Sequence, residues 1–269
     1  MLFHASQSFT VMHELNEADI VFLGVPFASC SLSKPAIYGP IMVREALKLT
    51  EDYIDGINIF EKLKIHDAGD LEIVPDFKIT ASRIKETLEE IREANPKAFP
   101  IIIGGDHSIT LPITEALRPK TIIQLDAHAD LRKDYLGCAF MQQTWGYHAS
   151  RFAKLFQIGV RSWNQEEIVV RKENHVEFIS LDDFKRMRPT FEKPIHLTID
   201  VDVLDPAFVE TGLPVAGGLT PKELFSILRE LPAVQSMDIV EIADDRLPSK
   251  TGFLSAEMIK IMLSKLVKR

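Results

Sequence analysis

Cysteine is scarce in this chain. Cys30 and Cys138 are the two among 269 residues, too few for a disulfide framework, and they point to a reduced, cytoplasmic setting. No apolar run reaches the roughly 18 residues of a membrane span, and the first residues lack a signal peptide's charged-then-apolar order. Aromatic residues make up 8%, and no basic stripe interleaves with them. Lys and Arg number 31 against 39 Asp and Glu, a formal net charge of −8, which argues against binding nucleic acid. Long linkers, low-complexity inserts and internal repeats are also missing, so residues 1–269 read as one domain. What is present is 46% hydrophobic residues, enough for a substantial core.

Those apolar residues fall into alternating strand and helix patterns. Residues 20–25, 100–103, 121–125, 156–160, 176–179, 195–199 and 236–241 read as strands. Residues 40–49, 80–94, 108–117, 143–154, 164–173, 221–230 and 253–267 read as helices, with Pro40 at a tolerated N-terminal position and Thr80 as a cap. The alternation predicts a single-domain, three-layer α/β/α fold with a largely parallel, doubly wound sheet. A closed (β/α) barrel is the alternative, since strand count does not separate open from closed.

Three stretches carry side chains able to bind metal ions: Gly104-Gly105-Asp106-His107-Ser108, Asp126-Ala127-His128-Ala129-Asp130 and Asp200-Val201-Asp202. Each follows an apolar strand, at the end where a parallel α/β sheet gathers its chemistry. In extended chain, residues two apart share a face. Asp126, His128 and Asp130 are therefore expected to converge, as are Asp200 and Asp202. Asp106 is expected to orient a neighbour rather than to ligate. Two imidazoles and four carboxylates suffice for two adjacent divalent cations. With no thiolate, the set suits Mn²⁺ or a similar ion better than a structural zinc. Two such ions close together lower the pKa of a bridging water enough to give hydroxide near neutral pH.

Other polar residues read more plainly. His4, His13, His66, His175 and His196 lack metal spacing and read as surface or hydrogen-bonded core histidines. Asp205, before Pro206, reads as a turn former. Arg132, Lys133 and Asp134 read as a self-neutralising surface cluster, or else Arg132 receives an anionic substrate tail. Nothing near Cys138 in the sequence activates it as a nucleophile.

The three motifs resemble those of the ureohydrolases: arginase, agmatinase, formiminoglutamase and their relatives. The match at the third extends from Ile199 to Phe208. Weaker matches are Gly39-Pro40 with Arg44-Glu45-Ala46-Leu47, residues 157–162, Gly217-Gly218-Leu219-Thr220 and Asp238-Ile239-Val240-Glu241. They keep the family's order over nearly the whole chain. The resemblance implies an open arginase-like sheet, a trimeric or hexameric homo-oligomer, and two metal ions held by His107, Asp126, His128, Asp130, Asp200 and Asp202. His107 and Asp130 would favour one ion, His128 and Asp202 the other, and Asp126 and Asp200 would be shared. The implied chemistry is attack of a metal-held hydroxide on the central carbon of a small cationic guanidino or amidine compound, with urea released from a guanidine. Asp130 would ferry a proton to the leaving amine, and Glu241 would orient the guanidinium.

One departure bears on catalysis. Arginases and agmatinases usually carry a histidine about a dozen residues beyond the second motif, and an ungapped register puts Gln142 there. Gln hydrogen-bonds but does not titrate. His148 lies six residues on, roughly 240° and 9 Å away along a helix, so it takes that place only if the loop is remodelled. Ala243-Asp244 stands where the family often has Asn-Pro, and residues 208–212 are one residue short. Agmatine-like guanidines are the expected substrates. The alternatives are a formiminoglutamase or other amidine hydrolase, and a catalytically impaired metal-binding regulatory or assembly subunit.

Overall fold

The computed structural model describes residues 2–3, 12–32, 34–180, 183–184, 186 and 189–268. In chain order its elements begin with β1 (Leu2–Phe3), β2 (Ile20–Val25), α1 (Gly39–Leu49), β3 (Tyr53–Ile54), β4 (Ile57–Asn58), α2 (Ile59–Lys62) and β5 (Ile65–Leu71). Then come α3 (Phe77–Ala94), β6 (Phe99–Gly104), α4 (Thr110–Leu117), β7 (Thr121–Leu125), α5 (Trp145–Ala149) and β8 (Lys154–Ile158). The last are α6 (Gln165–Glu173), β9 (Glu177–Ile179), β10 (Ile195–Asp200), α7 (Pro221–Glu230), β11 (Ser236–Val240) and α8 (Lys250–Val267).

Nine strands form one sheet in the order β1-β5-β2-β6-β11-β10-β7-β8-β9, and β3 and β4 make a separate hairpin. Every pairing in the large sheet is parallel except that of β1 with β5. The order runs from β1 to β9 without closing, so the sheet is open and the barrel alternative fails. Strand alternation supplies both cores. Ile20, Phe22, Ile101 and Ile103 pack on one face, and Val21, Leu23, Val25 and Ile102 on the other. Helices α1, α2 and α7 pack with α8, while α3, α4 and α5 form a separate packed series.

Several boundaries differ from the sequence expectation, each for a local reason. Helix α3 starts at Phe77 because Asp76 accepts the Ile79 N–H at 3.1 Å. The expected cap, Thr80, is buried and exchanges hydrogen bonds with the Val74 backbone. The helix expected over 143–154 is confined to α5. Ahead of it, Thr144 Oγ1 accepts the Met141 N–H and donates to the Ala139 carbonyl, holding the chain in a turn. Strand β8 stops at Ile158 because Gly159 takes φ +96°.

Strand β5, Ile-His-Asp-Ala-Gly-Asp-Leu, was not among the expected strands. An ion pair brought by α1 explains it. Fully buried Arg44 holds Asp67 through two hydrogen bonds of 2.9 and 2.8 Å, reaches the Gly69 carbonyl at 3.0 Å and pairs with Asp70. Removing one partner of a buried pair strands the other, at a cost of about 3–5 kcal/mol. Arg44→Ala is therefore expected to lower the thermal midpoint by many degrees in calorimetry. A midpoint unchanged from the parent would show that β5 is held by other means.

Candidate metal centre

Four adjacent strands, in the spatial order β6-β11-β10-β7, deliver the polar motifs at their C-terminal ends. The chain passes from β6 to β7 over two strands that are added later, which makes this the topological switch point of the sheet. After β6, Gly105 lies so close to Phe27 that a Cβ would sit 1.9 Å from the Phe27 carbonyl oxygen. That closeness lets the Asp106 N–H donate to the same oxygen at 2.7 Å. Asp106 accepts the Ser108 and Cys30 N–H groups at 3.1 and 2.9 Å, fixing the turn that presents His107.

Past β7 and β10 the backbone turns. Asp126 accepts the His128 N–H at 2.6 Å, Asp130 has φ +52°, and Asp200 accepts the Asp202 N–H at 2.8 Å. The grouping expected from extended alternation is thus reached through turns instead. Left-handed backbone costs a non-glycine residue on the order of 1–3 kcal/mol. Glu241, with φ +64°, carries the same strain directly after β11. Its N–H donates to the Gly105 carbonyl at 2.8 Å, and its carboxylate accepts the His107 N–H at 3.0 Å.

These turns bring the six predicted ligands together. His107, Asp126 and Asp130 offer ligand atoms within 4.8 Å of one another, and so do Asp126, His128 and Asp202. Asp126 belongs to both groups. Asp200 Oδ2 is 3.4 Å from His107 Nδ1, which also faces Asp126 at 3.0 Å and Asp130 at 3.3 Å. That nitrogen is buried and makes no hydrogen bond. A nitrogen lone pair without a hydrogen bond, ringed by carboxylates, fits a divalent cation, and the all-oxygen-and-imidazole donor set fits a hard-to-borderline one.

Neighbours that the motif reading missed hold these groups. His107 Nε2 is 2.9 Å from Thr198 Oγ1, and Thr198 donates to Asp238, which leaves Nδ1 to face the carboxylates. Asp238 also meets His196 Nε2 at 2.9 Å, while His196 Nδ1 meets Ser236 at 2.7 Å. His196 is thus a hydrogen-bonded core residue. Gln124 Nε2 donates to Asp126 at 2.7 Å, and Trp145 Nε1 donates to Asp130 at 2.9 Å. His128 Nδ1 is 2.8 Å from Asp202, whose other oxygen accepts the Ala127 N–H at 2.9 Å. Polar Thr198 and Asp238 inside apolar strands were the available signal.

The rest of the predicted inventory is placed as follows. Gln142 is buried and lines the cleft that His107, Asp200 and Glu241 also line. His148 points elsewhere, with Nε2 2.8 Å from the Ala139 carbonyl and its ring on Phe140. The Arg132 guanidinium lies over the Tyr135 ring, 5.0 Å from its centroid, and Arg132 is not among the residues lining the cleft. Asp205 accepts the Ala207 and Gly217 N–H groups at 3.0 and 2.9 Å and so ties off its turn. Arg161, in the weak match over residues 157–162, donates to the carbonyls of Asp202 and Val215 at 2.8 and 2.7 Å and binds the 202–216 loop to the centre. His66 Nδ1 is 2.9 Å from the His13 carbonyl, and His175 takes φ +53°. Both cysteines are free, and His4 lies outside the described residues.

Among the described residues no helix is long and apolar enough to cross a membrane. An open parallel sheet with carboxylates and imidazoles gathered at its switch point defines an α/β enzyme domain with a candidate metal centre. The arginase-family model matches residues 18–264, and the chain belongs to the arginase family. It is 34% identical to an agmatinase of Pyrococcus horikoshii over 258 residues, covering 91% of each chain. It is 35% identical to an N(1)-aminopropylagmatine ureohydrolase of Thermococcus kodakarensis over 259 residues, covering 91% of this chain and 90% of that one. The agmatine ureohydrolase of Thermoplasma volcanium superposes with a TM-score of 0.85 at 25% identity, covering 97% of this chain and 94% of that one. The protein is a hydrolase of guanidino C–N bonds.

Crowded charge sets the electrostatics. Burial, with Asp202 and Asp130 nearby, pushes Asp126 from 3.8 up to about 7. Burial likewise raises Asp200, aided by Asp202 and Asp126, and raises Glu241, aided by Asp106. Burial opposes the His128 charge, but Asp202 outweighs it and lifts the imidazole from 6.5 to about 10. Burial opposes the Asp202 charge too, and His128 outweighs it to hold that carboxyl low. Folded protein without metal therefore keeps an Asp126 proton that the unfolded chain releases above about pH 4. That stabilisation is lost as pH rises through about 7, and the His128 contribution, complete below 6.5, is lost through about 10. Chelator-treated protein is expected to melt lower at about pH 8 than at about pH 5. Added Mn²⁺ should raise the midpoint more at the higher pH, because cations and protons compete for the same oxygens. A midpoint that climbs with pH in the absence of metal contradicts this account.

Proposed function

We propose that the protein is a binuclear-metal ureohydrolase that releases urea from a small guanidine with a cationic tail, as agmatine has. The observation that carries this reading is the make-up of the cleft. Its lining joins His107, His128, Asp130, Asp200, Asp202 and Glu241, and holds no Lys or Arg among the described residues. A carboxylate-bearing tail meets no Lys or Arg partner there. The same feature counts against the formiminoglutamase alternative, since Arg132 stacks on Tyr135 and is not part of the lining. A regulatory subunit has no need for four buried carboxylates that repel one another.

In this reading His107, Asp126, His128, Asp130, Asp200 and Asp202 would hold two divalent ions, best Mn²⁺. When bound, such ions supply the positive charge that makes a nucleophile of water near neutral pH. Glu241 pairs with the guanidinium and turns its central carbon toward the acid cluster. Asp130, aimed by Trp145, moves the proton that the leaving amine needs. Gln142 orients that amine by hydrogen bonding and does not titrate. Exposed Tyr38, Ile41 and Leu49, with exposed Leu247 against Leu49, form an apolar face that supports a homo-oligomer.

Release of urea from agmatine, arginine and guanidinobutyrate, and of formamide from formiminoglutamate, with Mn²⁺ present tests the assignment. Agmatine should be hydrolysed best, and a marked preference for any carboxylate substrate refutes the tail argument. Glu241→Gln should lower kcat/KM about ten- to a hundredfold, the range of a lost charge-assisted hydrogen bond, with metal content kept. Gln142→His should raise guanidine turnover and add a titration near neutral pH, while His148→Ala changes little. Silence from Gln142→His and loss of activity in His148→Ala would reverse the roles of the two.

A further inference from the structure

We infer that Gln143 selects the substrate by its tail, its side-chain amide binding the non-reacting protonated amine of the guanidine. The inference rests on the ureohydrolase reading. Gln143 is 8% exposed, and neither its Oε1 nor its Nε2 has a hydrogen-bond partner. Buried polar groups in native proteins are nearly always paired, so an amide left open at both ends calls for an occupant. Its place is the cleft itself, where it lies with Gln142, Thr211 and Leu213 beside the charged groups.

The amide is held ready. The Gln143 carbonyl accepts the Arg132 N–H at 3.1 Å, and the following Thr144 N–H donates to the Met141 carbonyl at 3.0 Å. Two residues on, Trp145 is fastened to Asp130. Residues 141–145 thus form a braced turn that fixes where Gln143 starts, which lowers the entropic cost of using it.

The lining has two chemistries. His107, His128, Asp130, Asp200, Asp202 and Glu241 take the reacting end, and Gln142, Gln143, Thr211 and Leu213 are neutral. A guanidine whose reacting carbon lies among the first group must pass its tail along the second. Gln142 Oε1 and Thr211 Oγ1 are also without partners, but only Gln143 presents both amide atoms unpaired. An ammonium is donor-only, so Oε1 is its acceptor. No Lys or Arg among the described residues lines the cleft to pair with a carboxylate tail.

Kinetics on agmatine and on butylguanidine, which has the same chain without the terminal amine, test the assignment in the Mn²⁺-loaded enzyme. The parent should prefer agmatine in kcat/KM. Gln143→Leu, similar in size but without hydrogen bonds, should cut that preference at least tenfold, mainly through KM for agmatine. Gln143→Glu should widen it. Metal content, measured alongside, should match the parent in both variants, and the thermal midpoint should match it in Gln143→Leu. If the parent cleaves both guanidines and both variants keep its preference, the role of Gln143 is overturned and the ureohydrolase reading stands. If the parent releases urea from neither, the function itself is overturned, and this assignment with it.

Discussion

Mutual repulsion among buried carboxylates is the constraint to which this structure answers. Asp126, Asp130, Asp200 and Asp202 lie together at the ends of two strands, β7 and β10, with Asp106 and Glu241 beside them. In low dielectric such a group is costly unless something positive or hydrogen-bonding meets it. The chain meets part of the cost itself. His128 pairs with Asp202, Trp145 and Gln124 donate to Asp130 and Asp126, and backbone N–H groups cap Asp106 and Asp202. The raised Asp126, Asp200 and Glu241 carboxyls mark what is left over, a charge deficit that a divalent cation is suited to fill.

Holding that arrangement requires strain, and strain requires rigid support. Asp130 and Glu241, the residues proposed to handle a proton and a guanidinium, both sit in left-handed backbone. Their support comes from close contacts that no local preference supplies: Glu241 N–H on Gly105, Gly105 against Phe27, and Arg161 across the 202–216 loop. The buried Arg44 pair does the same for the far side of the sheet by recruiting polar β5 into it. The fold is therefore more than a carrier of motifs, since it makes an otherwise unfavourable cluster persist.

The legibility of the chain follows from range. Apolar runs at 20–25, 100–103, 121–125 and 195–199 announced central strands because burial on both faces demands unbroken hydrophobicity. The ligands were readable because hard-cation chemistry admits few residue types, and all six arrived where strand ends had been expected. Strand β5 was hidden because its stability comes from Arg44, more than twenty residues upstream, and not from its own propensity. The Thr80 cap failed because Asp76 competed for the same helix end and Thr80 found a backbone partner in Val74.

Local chemistry thus settled the layer architecture, the family and the identity of the acids and imidazoles, because each depends on periodicity or on residue type at short spacing. Long-range geometry settled the rest. Strand order put β11 and β10 between β6 and β7, so that Glu241 and Asp200 face His107 and not solvent. Turns set the facing of Asp126, His128 and Asp130 in place of extended alternation. Thr198, Asp238 and Trp145 became supports of the centre, and Gln143 was left with an unpaired amide inside it. No spacing along the chain encodes which side chains meet across strands, because that depends on which strands are neighbours.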